Sequence, residues 1–114
     1  MPKQGDIVLI PIPFTDLSST KQRPVIVVSN DAYNRHSADV VVVAMTSNPT
    51  PGPYTFVLTS ANLERGRLNR PGQVRVDKVY ALSQALIVKT FGCVDAATLN
   101  RIHEQLHDLT VRQP

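Results

Sequence analysis

One stretch of the chain matches a catalytic pattern: His103-Glu104-Gln105-Leu106-His107. Two histidines four apart on a helix share a face and can hold zinc, with the intervening glutamate as general base. The surrounding sequence argues against that chemistry. Only seven residues follow His107, none of them His or Glu, so Asp108 alone could serve as a third ligand there. At about 100° per residue, the apolar positions Leu99, Ile102, Leu106 and Leu109 form a stripe that leaves Glu104 almost opposite it, in water. The motif reads as a solvated helix face rather than a metal centre. His36 reads as a loop residue, open to an RNA or partner contact.

A second set of residues suits anion chemistry. Arg23 stands where a hydroxyl-rich segment, Thr15 to Gln22, meets the apolar run Val25-Ile26-Val27-Val28. A guanidinium there is held by a rigid element and can give two parallel hydrogen bonds to phosphate oxygens. Its structural alternative is a surface arginine at a strand start. Thr46 ends the run Val40 to Met45, with Ser47 beside it. A hydroxyl at that place can orient a phosphate, or simply bond the backbone of a turn. Arg75 and Asp77, two apart on a strand, point to one face. They can form an exposed ion pair or contact a ligand. Arg65, Arg67 and Arg70 form a diffuse basic stretch, which gives affinity for polyanions without sequence choice. Tyr33, Tyr54 and Tyr80 are possible stacking surfaces for bases, or filler.

These residues need elements to carry them. Short apolar runs recur between Pro, Gly, Asn, Asp and Ser, as in a small β-rich domain. Strands are expected at Asp6–Ile12, Arg23–Val28, Val40–Met45, Tyr54–Leu58, Gln73–Asp77, Val79–Leu82 and Leu86–Phe91. One helical turn is expected at Asp31–Arg35, and a polar, basic loop at Ser60–Gly72. The stripe from Leu99 to Leu109 predicts an amphipathic helix, Asp95 to Leu109, with Asp95 as N-cap. Two runs of consecutive β-branched residues imply strands covered on both faces. Long βαβ crossovers are absent, so the strands should be mostly antiparallel. The expected class is α+β: six or seven short strands curled as a small barrel, plus a C-terminal helix.

Composition sets the outer bounds. The 114 residues make one domain, 1–114, with 42% apolar and 18% charged residues. The formal charge of +3 permits a polyanionic partner without demanding one. The single cysteine, Cys93, excludes an internal disulfide and a cysteine-based zinc cluster built by one chain. The N-terminus does not read as a signal peptide, and the longest apolar stretch, Val40 to Met45, is far too short to span a bilayer. A cytoplasmic protein without membrane attachment is expected.

Several pieces, taken in order, resemble the MazF/PemK (Kid) family of toxin ribonucleases from toxin–antitoxin modules. They are Gly5-Asp6-Ile7-Val8-Leu9; Arg23-Pro24-Val25-Ile26-Val27-Val28-Ser29-Asn30-Asp31 followed by Asn34-Arg35; Val41 to Ser47; and Gln73-Val74-Arg75-Val76-Asp77. They span nearly the whole chain. The resemblance implies an SH3-like barrel of CcdB/PemK type and a homodimer. It also implies sequence-specific cleavage of single-stranded RNA such as mRNA, without metal or other cofactor. Arg23 and Thr46 would be catalytic; Ser18, Ser19, Lys21, Ser47, Arg75 and Asp77 would bind RNA. The implied partner is a MazE/PemI-like antitoxin whose acidic, extended segment occupies the basic groove. The loop Thr15–Gln22 holds no Gly and no His, so no histidine acid or base carries over to it. Rival readings are a CcdB-like gyrase poison working through the C-terminal residues, and a non-catalytic RNA-binding module.

Overall fold

The β-branched runs become strands, and their pairing is long-range. The computed structural model describes residues 1–11, 22–48 and 52–114. Its strands are β1 (Asp6–Pro11), β2 (Gln22–Val27), β3 (Asp39–Thr46), β4 (Thr55–Leu58), β5 (Leu63–Gly66), β6 (Gly72–Ser83) and β7 (Lys89–Val94). Two α-helices, α1 (Asp31–His36) and α2 (Ala96–Thr110), and two short 3-10 turns complete the described elements. The seven strands form one curled sheet in the order β4-β6-β3-β2-β1-β7-β5. Every pairing is antiparallel. The fold is α+β, as the sequence implies.

Alternation along the strands builds two apolar clusters, one on each side of the sheet. Ile7, Ile26, Val43, Met45, Val74 and Val76 belong to the first, and α2 lies on that side, with Ile102 fully buried and Leu99 and Leu106 packed against the cluster. The other side holds Val8, Ile10, Val25, Val27, Val40 and Val42, met by Tyr80, Leu82 and Ile87. The strands expected to be covered on both faces, β2 and β3, are so covered. Asp95 caps α2 by accepting the Thr98 N–H at 2.8 Å, which removes one unpaired donor from the first turn. The guanidinium of Arg101 lies 4.2 Å from the centre of the Phe56 ring, tying α2 to β4. No helix among the described residues is long and apolar enough to cross a membrane.

Three local expectations are corrected. The stretch Ser60–Gly72 is not all loop: after a 3-10 turn at Ser60–Asn62, β5 pairs with β7. Only Leu63 among its four residues is half-buried, so its sequence carries no alternation to read. The Gly66 backbone instead crosses close to Gly92 and Phe91, where a side chain at position 66 would strike the Phe91 carbonyl. The runs 73–77 and 79–82 are one strand, β6, not two. The strand expected at Leu86–Phe91 starts later, at Lys89, because Gln84–Leu86 forms a 3-10 turn capped by Ser83.

An irregularity inside β6 decides which residues share a face. Val43 faces Val79 while its neighbour Ala44 faces Arg75, so three residues, Val76 to Lys78, fall outside the ladder with β3. An odd insertion exchanges the two faces of a strand. Gln73 and Arg75 therefore share a side with Tyr80 and Leu82, opposite the side that carries α2.

Candidate active site

Registry brings together the residues singled out for anion chemistry. Val25 pairs with Ala44 across β2 and β3, and Thr46 pairs with Gln73 across β3 and β6. Two steps back along β2 from Val25 place Arg23 level with Thr46. Even positions on β3 and odd positions on β2 and on the first part of β6 face the same way. Arg23, Thr46 and Gln73 thus form one cross-strand row, with Ala44 and Arg75 in the next. Both rows lie on the side without α2.

Two hollows meet at this end of the sheet, the first on the face without α2 and the second at the strand ends, and Arg23, Met45 and Thr46 line both of them. The first, of about 230 Å³, is completed by Ala44, Arg75, Lys78 and Tyr80. The second, of about 270 Å³, lies on the other side of Thr46 and takes in Gln22, Ser47, Asn69, Arg70 and Gly72. The floor of the first exists because Ala44 interrupts a row of valines: its side chain leaves room that a branched one would fill.

Thr46 meets its structural reading. Its Oγ1 accepts the backbone N–H of Asn48 at 3.1 Å, which fixes the hydroxyl at the start of a turn. A hydroxyl accepting one bond still has its own proton to donate. Arg75 and Asp77 form a bidentate pair, Nε to Oδ1 at 3.0 Å and Nη2 to Oδ2 at 2.9 Å. The Arg75 hydrogen bond holds the Asp77 carboxyl below the usual carboxylate range, despite some desolvation in the other direction. In return, that bond raises the guanidinium of Arg75 above its ordinary value. Asp77 is therefore a charged acceptor that orients Arg75, and a weak proton acceptor. Gln73 is pinned as well, its Nε2 donating to Thr55 Oγ1 at 3.0 Å.

The remaining sequence candidates separate. Ser47 is exposed on the rim of the second hollow. Ser18, Ser19 and Lys21 lie outside the described residues. The basic stretch divides: Arg70 reaches the second hollow, while Arg65 sits on β5 at the far edge of the sheet, 3.9 Å from the Asp6 carboxylate. Tyr80 lines the first hollow, whereas Tyr54 packs against the cluster on the α2 side and Tyr33 projects from α1. His36 ends α1, exposed. His103, Glu104, His107 and Asp108 line a shallow hollow on the outer face of α2. Among the described residues, no group of three or more His, Cys, Asp or Glu side chains converges as a metal site. Cys93 is a buried free thiol on β7, pushed up in pKa chiefly by burial. Sequence reading passed over Lys78, Gln22 and Asn69. The break from valine to Ala44 is a local signal for the first hollow, which Lys78 lines; Gln22 and Asn69 line the second, which has no such signal.

Known proteins share this architecture. The profile of the PemK-like, MazF-like toxins of type II toxin–antitoxin systems matches residues 3–110. Endoribonuclease MazF4 of Mycobacterium tuberculosis is 31% identical over 84 residues, 74% of each chain. Among solved structures, an endoribonuclease in complex with its cognate antitoxin, from a mycobacterial species, superposes with a TM-score of 0.80 at 26% identity, over 100% of both chains. A MazE–MazF crystal structure from Deinococcus radiodurans, at 22% identity, has the same fold with a TM-score of 0.76, over 95% of this chain and 94% of that one. The order of strands, the C-terminal helix and the match along almost the whole length agree: the chain belongs to the PemK-like, MazF-like toxins of type II toxin–antitoxin systems, a family of RNA-cleaving enzymes.

Proposed function

We propose that this toxin is a metal-independent, sequence-specific endoribonuclease that cuts single-stranded RNA, mRNA in particular, with the whole chain 1–114 acting as one domain. The observation that carries the reading is that Arg23 and Thr46, from neighbouring strands, line the same two hollows. In the reaction the ribose 2′-oxygen attacks the adjacent phosphorus. The O2′–P bond forms, the P–O5′ bond breaks, and the proton lost from O2′ is balanced by one gained at O5′. The products are a 2′,3′-cyclic phosphate and a 5′-hydroxyl.

Charge grows on the non-bridging oxygens as the phosphorus becomes five-coordinate. Arg23 stabilises that charge with a fixed, planar donor pair. A guanidinium keeps its proton at any working pH, so Arg23 holds charge and does not transfer a proton. Thr46 donates its hydroxyl to the same phosphate, its oxygen already oriented by Asn48. Arg75, braced by Asp77, and Ser47 contact the flanking nucleotides. Ser18, Ser19 and Lys21, in the segment that precedes β2, also bind RNA in this reading.

The neutralising partner is an antitoxin that lays an acidic, extended segment across this cationic face and competes with RNA. The mycobacterial structure that superposes on this chain, described as an endoribonuclease with its cognate antitoxin, supports this reading. The active form is a homodimer in the cytoplasm, where mRNA is exposed to it.

The test is to incubate a mixed RNA pool with the protein in EDTA and map the 5′ ends of the fragments. Discrete ends sharing a short motif, absent with Arg23→Ala, are the expected result. An uncut pool, or cutting abolished by EDTA, overturns the proposal.

A further inference from the structure

We infer that the two hollows divide the work of recognition, the first gripping the RNA backbone and the second reading one base beside the cut through the amide of Asn69. This rests on the ribonuclease reading and extends it to the source of sequence choice. Arg23, Met45 and Thr46 form the divide between the hollows. A strand whose scissile phosphate lies on that divide sets one neighbouring nucleotide on each side.

The linings differ in their balance of cations and amides. Beyond Arg23, the first hollow presents Arg75 and Lys78, two cations over the small floor of Ala44. Lys78 is there because of the three-residue irregularity in β6. Cations position phosphates and carry no sequence information. The second hollow has one cation of its own, Arg70, beside two amides and a hydroxyl: Gln22, Asn69 and Ser47. Single-stranded RNA is read by hydrogen bonds to the edges of splayed bases. An amide, with two donors and an acceptor on one plane, matches such an edge.

Asn69 has the placement that such a role requires. Its loop is clamped from below: the Leu68 N–H donates to Ser60 Oγ at 2.8 Å, and Ser60 Oγ donates to the Leu68 carbonyl at 3.2 Å. The Leu68 side chain packs against the core on the α2 side. The loop then enters β6 at Gly72, whose position is close-packed, since a Cβ there would meet Met45 Cε at 3.1 Å. Asn69 itself is exposed on the wall of the hollow. A fixed backbone and a side chain open to the groove are what base discrimination needs.

The experiment maps fragment ends from one RNA pool cut by wild type, Asn69→Ala, Asn69→Asp and Lys78→Ala. Asn69→Ala is expected to lower base discrimination about ten-fold at a single position next to the cut, leaving the other positions unchanged. Asn69→Asp, which exchanges donors for acceptors in the same shape, is expected to change the base preferred at that position. Lys78→Ala is expected to slow cutting at all sites alike and to weaken the dependence of binding on salt. If the Asn69 variants give the wild-type ends in the wild-type proportions, the assignment of Asn69 is wrong while the ribonuclease reading stands. If Lys78→Ala shifts the preference instead, the division between hollows is wrong. If wild type leaves the pool uncut, both readings fall together.

Discussion

Replacing Thr46 by valine removes one hydroxyl and almost nothing else. The two side chains share shape and branching, so the end of β3 keeps its packing. Two interactions go: acceptance of the Asn48 N–H at 3.1 Å, and the proposed donation to the phosphate. The first is a half-exposed turn bond, worth about 0.5–1.5 kcal/mol of stability. That is small against the roughly 5–15 kcal/mol that holds a domain folded. The second is a hydrogen bond to a charged group, worth about 1.5–3 kcal/mol. If it acts mainly in the transition state, its loss slows cleavage about 10- to 150-fold, at roughly 1.4 kcal/mol per factor of ten. Thr46→Ser keeps the hydroxyl and should stay within about three-fold of wild type. The assay is single-turnover cleavage of an end-labelled RNA with enzyme in excess, alongside a thermal melt for each variant. A valine variant that melts within a few degrees of wild type and cuts within about two-fold of its rate refutes the role of Thr46. So does a serine variant as slow as the valine one.

Asp77→Asn tests the ion pair through pH. The folded carboxyl sits below its ordinary value of 3.8, mainly through the Arg75 hydrogen bond. Its contribution is therefore present above that value and is lost as pH falls through the folded one. The pair is partly exposed, so wild type should exceed the variant by no more than about 1 kcal/mol at neutral pH. Chemical denaturation should show that gap closing only in acid, and a gap that closes instead on going alkaline contradicts the assignment. Gly66→Ala should cost at least about 2 kcal/mol, because φ is +82° and the new methyl meets the Phe91 carbonyl. A thermal melt reports it, and a neutral substitution would disprove the close crossing of β5 and β7. Glu104→Gln, on the outer face of α2, should leave RNA cleavage unchanged without chelator, and a large loss there, matched by loss of wild-type activity in EDTA, would revive a metal role for the helix.

Legibility from the sequence followed the physics of each element. β2 and β3 were readable because runs of β-branched residues demand burial on both faces, and α2 because its leucines and isoleucine recur at helical spacing beside an N-cap aspartate. Arg23 and Thr46 were readable as strand-end residues, and Arg75 with Asp77 as a same-face pair that proved bidentate. β5 was not, since its stability comes from pairing with a distant strand across facing glycines rather than from its own pattern. Nor was the content of the hollows. The three residues excluded from the β6 ladder decide which face Lys78 and Tyr80 serve, and an insertion of that kind depends on the partner strand, not on local propensity. Asn69 and Arg70 read as part of a basic loop, and only tertiary packing carries them to Thr46. The expected contacts from Ser18, Ser19 and Lys21 lie outside the described residues.

The central claim is that Arg23 and Thr46 act on one phosphate, and a double-mutant cycle addresses it most directly. Single-turnover cleavage rates are measured for wild type, Arg23→Ala, Thr46→Val and the double variant on the same RNA. Two groups stabilising one developing charge do not act independently, so the double variant should be slower than the worse single variant by clearly less than the other's full factor, a coupling of about 1 kcal/mol or more. Rate losses that simply multiply, or an Arg23→Ala protein that cuts at the wild-type rate, would contradict the account.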